Sequence, residues 1–270
     1  MRHSEWETMA LQVCRLAREA GSEIMRVYRA CDQIQALVAR KSDDSPLTLA
    51  DLASHHIIVN GLARMTSKIL VVSEEDVASL TRRVPQGSFW LIDPLDGTKE
   101  FLARNDEFTV NIALVTDGEP VLGVVYAPAL DLMFWGGHTL GAFRQSGGEI
   151  TPICVSAPVV PGNCYRIVAS KSHLNAETEN FIGRLGLTDL VQAGSSLKFC
   201  LVAEGRADVY PRLGPTSEWD TAAAQAVVEG AGGYVYDTSG VRLRYGKPDV
   251  LNPSFIAASM PLHVLLGPHD

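Results

Sequence analysis

At 270 residues, 46% hydrophobic and 20% charged, the chain has the makeup of a globular protein of one large or two modest domains. Its net charge of −8 argues against a nucleic-acid polymer as partner, although bound cations can reverse the local field and admit an anionic small molecule. No stretch supplies the roughly 18 uninterrupted apolar residues of a membrane span, and the N-terminus enters an amphipathic pattern with no signal-peptide character.

Apolar residues recur at helical spacing from about Glu5 to Arg29 (Met9, Val13, Leu16, Ala20, Ile24, Val27), which predicts an amphipathic helix. Lys41 to Pro46 is polar and turn-rich and reads as a loop. A second helix is predicted from about Thr48 to Met65, with Asp51 in its first turn, where a carboxylate complements the helix dipole. His55 and His56 are adjacent, so they point to different sides of that helix and make poor partners in one metal site. Ile69 to Val72 is a short apolar strand ending in Ser73-Glu74-Glu75-Asp76.

Phe89 to Ile92 repeats that pattern, and the strand is expected to end at Asp93-Pro94 because proline cannot donate to a sheet ladder. Asp93 and Asp96, three residues apart on a turn leaving a strand, can converge on one point, and oxygen ligands of this kind suit magnesium. Gly97-Thr98 then opens a helix through Lys99, Glu100 and Phe101, whose free N–H groups suit an anion. Taken alone, Asp-Pro and Asp-Gly are ordinary turn formers. A neighbouring strand that delivers Glu74 to the same edge changes that reading.

Val110 to Thr116 and Val121 to Tyr126 flank Asp117-Gly118, a hairpin signal. Strands at 132–135, 141–145 and 150–155 follow, so the first half reads as helices on a largely antiparallel sheet. Pro158 to Gly162 is the candidate boundary, dividing the chain into 1–157 and 158–270. Beyond it the rhythm alternates: strand 167–169, helix from Ala176, strand 190–193, helix from Ser196, strand 207–210, helix to Ala231, strand 234–236. This is the pattern of an α/β layer. Glu218-Trp219-Asp220 stands at the start of the last helix, where Asp220 reads as an N-cap; capping and metal binding can coexist, since a carboxylate has two oxygens. The five cysteines (Cys14, Cys31, Cys154, Cys164, Cys200) lack metal-type spacing and fit reduced thiols in a cytoplasm.

Glu74-Glu75, then Asp93-Pro94-Leu95-Asp96-Gly97-Thr98, then Trp219-Asp220 resemble, in order and context, the lithium-sensitive, magnesium-dependent phosphatase superfamily of inositol monophosphatase. Lys41 to Asp51, Thr98 to Phe101, Gly194 to Cys200 and Gly214-Pro215-Thr216 resemble its 3'(2'),5'-bisphosphate nucleotidase branch of the CysQ type. The resemblance implies a layered αβαβα sandwich, an antiparallel-sheet first half carrying most metal ligands and an α/β second half carrying Asp220 and substrate contacts. It implies a phosphomonoesterase that turns adenosine 3',5'-bisphosphate, a by-product of sulfur assimilation, into AMP and phosphate. Inositol monophosphatase or fructose-1,6-bisphosphatase-like activity stays an alternative within the family, and a non-catalytic phosphometabolite-binding regulator an alternative outside it.

By the same analogy two to three magnesium ions would be held: the first by Glu74, Asp93 and the carbonyl of Leu95, the second by Asp93, Asp96 and Asp220, a third near Glu74. Thr98, oriented by Asp51, and Glu74 would help remove a proton from the attacking water. Substrate would touch Glu74, Leu95, Asp96, Gly97, Thr98, Lys99, Ser195 and Asp220, while His173 reads equally as a residue at the substrate end or as part of a surface loop. The resemblance implies a cytoplasmic enzyme, with peripheral attachment to the inner membrane and a homodimer as options.

Overall fold

The computed structural model describes residues 2–30, 38–40, 46–81, 86–159, 164–169 and 175–266. The N-terminal stripe forms helix α1 (His3–Ala30), followed by a two-stranded antiparallel pair β1 (Val38–Arg40) and β2 (Pro46–Thr48), then α2 (Leu49–Met65). Next come β3 (Leu70–Ser73), the short α3 (Val77–Leu80), β4 (Ser88–Asp96) and α4 (Thr98–Ala103). A meander of β5 (Thr109–Thr116), β6 (Glu119–Ala127), β7 (Leu132–Gly137), β8 (Gly141–Ser146) and β9 (Glu149–Ile153) completes a seven-stranded sheet, ordered β3-β4-β5-β6-β7-β8-β9. Only its β3–β4 pair is parallel. At the β5–β6 turn Asp117 and Gly118 have φ of 51° and 77°, the double positive φ that a two-residue hairpin demands.

The second half supplies β10 (Tyr165–Ala169), α5 (Ala176–Arg184), β11 (Thr188–Gln192), α6 (Leu197–Ala203), β12 (Val209–Arg212), α7 (Glu218–Gly230), β13 (Tyr234–Asp237), β14 (Phe255–Ala258) and α8 (Leu262–Leu265). These build a five-stranded sheet ordered β11-β10-β12-β14-β13, parallel on one side and antiparallel on the other. The interior strand β14 is not expected from the sequence, because its place depends on pairing with β12 and β13 from distant parts of the chain.

Strand periodicity explains the layering. Trp90 and Ile92 of β4, with Val110, Ile112 and Leu114 of β5, join an apolar cluster with α1 and α2. Their alternates Phe89, Leu91, Ala113 and Val115 join a second cluster with Phe199 and Cys200 of α6 and Ala223 and Val227 of α7, which continues to Phe255 on the smaller sheet. A third cluster packs the outer face of that sheet, through Ile167, Val209 and Ile256, on Phe181 and Leu265. The order helix, sheet, helix, sheet, helix is the expected αβαβα sandwich. Both faces of β4 and β5 are covered, which is why those strands read as near-continuous apolar runs.

One expectation is corrected at the central stretch. Strand β4 does not end at Asp93-Pro94 but continues to Asp96. Asp93 pairs with Asn111 and Asp96 with Thr109, so three steps on β4 oppose two on β5. This is a β-bulge, and Pro94, with no N–H to donate, sits inside it. In a regular strand residues three apart face opposite ways. The extra residue returns Asp96 to the face that Asp93 occupies.

The middle helical layer approaches the large sheet closely. A Cβ on Gly123 of β6 would lie 2.0 Å from the carbonyl oxygen of Ala223 in α7. Gly123→Ala must therefore push α7 outward, and urea denaturation should show a loss of roughly 1–3 kcal/mol, typical of overpacking. Gly183→Ala, in α5 with no atom within 4 Å of the new Cβ, is the control and should be neutral or slightly stabilising.

Candidate active site

Parallel pairing of β3 with β4 sets Ser73 beside Ile92, so the two strands release Glu74 and Asp93 at one edge. Helix α7 brings Asp220 to the same point from the layer above. Single carboxylate oxygens of Glu74, Asp93 and Asp220 lie within 4.8 Å of one another. Asp93 is 1% exposed. Burial and the charges of Glu74, Asp96, Asp220 and Asp51 push its carboxyl well above the ordinary carboxylate range. Asp220 is pushed up likewise by burial and by Asp96 and Glu74. Such crowding demands a proton or a cation, and an all-oxygen donor set selects a hard divalent ion such as magnesium.

Each aspartate is tied through one oxygen. The Leu95 amide donates to Asp93 Oδ1 at 3.1 Å. Asp96 Oδ2 accepts from Ser195, from Ser196 at 3.1 Å and from Asn111 at 3.5 Å. The Ser217 amide donates to Asp220 Oδ2 at 2.8 Å. Here a second expectation is corrected: α7 starts at Glu218 with Ser217 as its N-cap residue, and Asp220 is the third helical residue, reaching back to that cap. Glu218, fully buried, accepts from the amides of Gly246 and Lys247 at 3.0 Å and from Lys247 Nζ at 2.6 Å. Asn252 Nδ2 donates to the Ser217 carbonyl at 2.7 Å, so the segment 246–252 clamps the turn that presents Asp220.

Asp51, buried in the first turn of α2, is near enough for its charge to act on Asp93. One turn on, Ser54 donates to the Pro94 carbonyl at 2.8 Å and pins the bulge. His55 Nδ1 stands 2.8 Å from Ser73 Oγ and buttresses the strand end before Glu74; neither His55 nor His56 joins the carboxylate group. Gly97, with φ of 87°, leads into α4, whose first residues are Thr98 and Lys99, the latter exposed. His173 and Lys41 to Ser45 fall outside the described residues.

A cleft of about 120 Å³ opens beside Asp96 and Asp220, lined also by Gly97, Glu100, Ser195, Lys198 and Arg212. The sequence reading assigned no role to Lys198 or Arg212. Lys198 is 7% exposed, donates to the Ser195 carbonyl at 2.6 Å, and is pulled down to about 8 by burial against the opposing charges of Asp96 and Glu100. Its one signal was position, three residues past Ser195 in Gly194-Ser195-Ser196-Leu197-Lys198. Arg212, at the end of β12, gave none. A larger recess of about 610 Å³ shares no residue with this site, and its Arg242 is already paired with Glu229 at 2.7 Å and Glu119 at 2.8 Å. Among the described residues no helix is long and apolar enough to cross a membrane.

The inositol monophosphatase family matches residues 5–266. The 3'(2'),5'-bisphosphate nucleotidase CysQ of Salmonella typhimurium is 48% identical over 248 residues, 92% of this chain and 98% of the relative. The nucleotidase of the same name from Escherichia coli K12 is 46% identical over 90% of this chain and 97% of its own length. Among solved structures, CysQ from Bacteroides thetaiotaomicron, described as a bacterial member of the inositol monophosphatase family, superposes with a TM-score of 0.81 at 39% identity, covering 94% of this chain and 98% of that one. Inositol monophosphatase from Anabaena gives 0.73 at 25% identity, covering 97% and 94%.

The charge crowding has a measurable sign. Asp93 titrates above its ordinary 3.8 in the folded, metal-free protein. The stability this contributes is complete below that value and is lost as pH rises through the raised one. Asp93→Asn should therefore be more stable than the parent when both are chelated, and the gap should widen as pH climbs from 3.8 toward neutrality. Magnesium should raise the melting temperature of the parent and not of the variant. A gap that narrows with rising pH would mean that the cluster carries no net repulsion.

Proposed function

The chain belongs to the inositol monophosphatase family, and we propose that it is a magnesium-dependent phosphomonoesterase that hydrolyses adenosine 3',5'-bisphosphate to adenosine 5'-monophosphate and phosphate. The observation that carries the substrate choice is the cleft: beside the carboxylate cluster stand two cations, Lys198 and Arg212. A monophosphate needs only the metal site. A substrate with a second phosphate also needs positive charge a few ångströms away, and Lys198, shifted only to about 8, is largely charged at neutral pH. Arg212, whose Nη2 donates to the Pro215 carbonyl at 3.2 Å, lines the same cleft with its permanent charge. Lys198 thus adds a buried cation to the exposed Lys99 that the resemblance implied at the substrate. Similarity to the 3'(2'),5'-bisphosphate nucleotidases of Salmonella typhimurium and Escherichia coli supports the same choice.

In this reading Glu74, Asp93 and the Leu95 carbonyl would hold one magnesium, Asp93, Asp96 and Asp220 another, and the surroundings of Glu74 a third, more loosely. Magnesium held there supplies an acidified water and offsets charge on the phosphate oxygens. Thr98, oriented by Asp51, and Glu74 take the proton of the attacking water. Gly97 and Ser195 face the phosphate, and the tied oxygens of Asp93, Asp96 and Asp220 keep the ligand set from rearranging. The water's oxygen bonds to phosphorus as the ester bond to the ribose 3'-oxygen breaks. The reading includes work in the cytoplasm on a free by-product of sulfur assimilation.

Phosphate release from adenosine 3',5'-bisphosphate, inositol monophosphate and fructose 1,6-bisphosphate tests this. The bisphosphate nucleotide should be preferred over inositol monophosphate by at least about tenfold in kcat/KM, roughly 1.4 kcal/mol. Chelation should abolish turnover and magnesium restore it. Lys198→Met should cost about tenfold or more on the nucleotide, the scale of a lost charged hydrogen bond, and little on inositol monophosphate. Equal efficiency on both substrates would refute the nucleotide preference, and binding without any phosphate release would make the protein a regulator.

A further inference from the structure

Asp96 leaves the large sheet and Asp220 arrives on α7, so the second metal site spans two layers. One buried hydroxyl joins them. Ser196, 2% exposed at the start of α6, stands 3.1 Å from Asp96 Oδ2 and 3.1 Å from the backbone carbonyl oxygen of Asp220. A hydroxyl carries one proton, so it donates to one of these acceptors at a time. Asn111, 1% exposed on β5, donates from Nδ2 to Ser196 Oγ at 2.9 Å, which fills the acceptor side of the hydroxyl and aims its proton toward the two oxygens. Asn111 Oδ1 lies 3.1 Å from Thr109 Oγ1, a hydroxyl that also stands 2.6 Å from Ser195 Oγ. The Asp96 carboxylate, an acceptor only, assigns the amide: Nδ2 is the group turned to Ser196 and Asp96.

We infer that Ser196, aligned by Asn111, is a positioning residue that fixes the separation of Asp96 and Asp220 and thereby the affinity of the second metal site. The inference rests on the magnesium reading proposed above. Asp96 Oδ2 is occupied by hydroxyl and amide donors, which leaves Oδ1 as the oxygen for a cation. Removing the Ser196 hydroxyl takes one donor from Asp96 and the only side-chain link between that carboxylate and the α7 backbone recorded among the described residues. Partners of this kind behind a metal ligand typically govern affinity by about ten- to a hundredfold.

Manganese binding to the purified full chain, followed by electron paramagnetic resonance without substrate, is the test. In the parent we expect at least two ions per chain; in Ser196→Ala one class should weaken about tenfold or more, and Ser196→Thr, which keeps the hydroxyl, should restore it. Asn111→Ala, which leaves Ser196 present but unaligned, should weaken the same class by a smaller factor. The double variant should weaken it by less than the product of the two single factors, because the residues share one hydrogen-bonded unit even though Asn111 also reaches Asp96 at 3.5 Å. Urea denaturation of the metal-free proteins separates this from general loosening: a purely structural role would lower stability without selecting one metal class. Parental affinity in both Ser196→Ala and Asn111→Ala overturns the inference while the magnesium reading stands. A parent that binds no manganese overturns the magnesium reading itself.

Discussion

Like charges gathered out of water are the constraint on which this structure depends. Two carboxylates about 4 Å apart repel by roughly 4 kcal/mol even at the effective dielectric of a protein surface. Here Asp93, almost fully buried, feels the charges of four acidic residues, two of them with a carboxylate oxygen within 4.8 Å of its own. No short segment could hold that arrangement by itself. The acids enter on separate elements: Asp51 on α2, Glu74 after β3, Asp93 and Asp96 on β4, Asp220 on α7. Apolar clusters on both faces of the large sheet lock those elements together. The layered core is therefore the counterweight to the site, and neither can be understood without the other.

The three aspartates share a design. In each, one oxygen takes a donor from the protein: the Leu95 amide, the Ser195–Ser196–Asn111 group, or the Ser217 amide. The remaining oxygen is left for a ligand, so each acid can act through one oxygen in a fixed direction. Preorganisation of this type is what separates a metal centre from an acidic patch. Asp220 also serves its helix, because the oxygen that reaches Ser217 completes the first turn of α7. Folding and ligand orientation are thus one hydrogen bond.

Much of this was legible in the sequence wherever the cause is local. The apolar period of α1, the Asp117-Gly118 turn and the acidic exits of two apolar strands need only a few neighbouring residues to be read. Neighbouring strands predicted Glu74 and Asp93 at one edge, whereas Asp220 joined them only through the resemblance carried by three motifs in order. What escaped depends on partners distant in sequence. Pro94 reads as a strand terminator until β5 is present to show a bulge. Phe255 to Ala258 becomes an interior strand only between β12 and β13. Lys198 has the sequence of a solvated helical lysine, and its burial is imposed by the packing around it. Asn111 hides in an apolar run, where nothing marks it as more than an interruption.

The bulge between Asp93 and Asp96 constrains heredity differently from the side chains around it. Leu95 is a buried apolar residue that other hydrophobic side chains of similar volume could replace at modest cost. The number of residues in that interval has no such latitude. Losing one codon there would leave two steps against two, so Asp96 could still oppose Thr109, but the bulge would be erased. With it would go the excursion of the chain that sets the Pro94 carbonyl on Ser54 and the Leu95 amide on Asp93. Drift along this segment can proceed by exchange of letters but not by change of length.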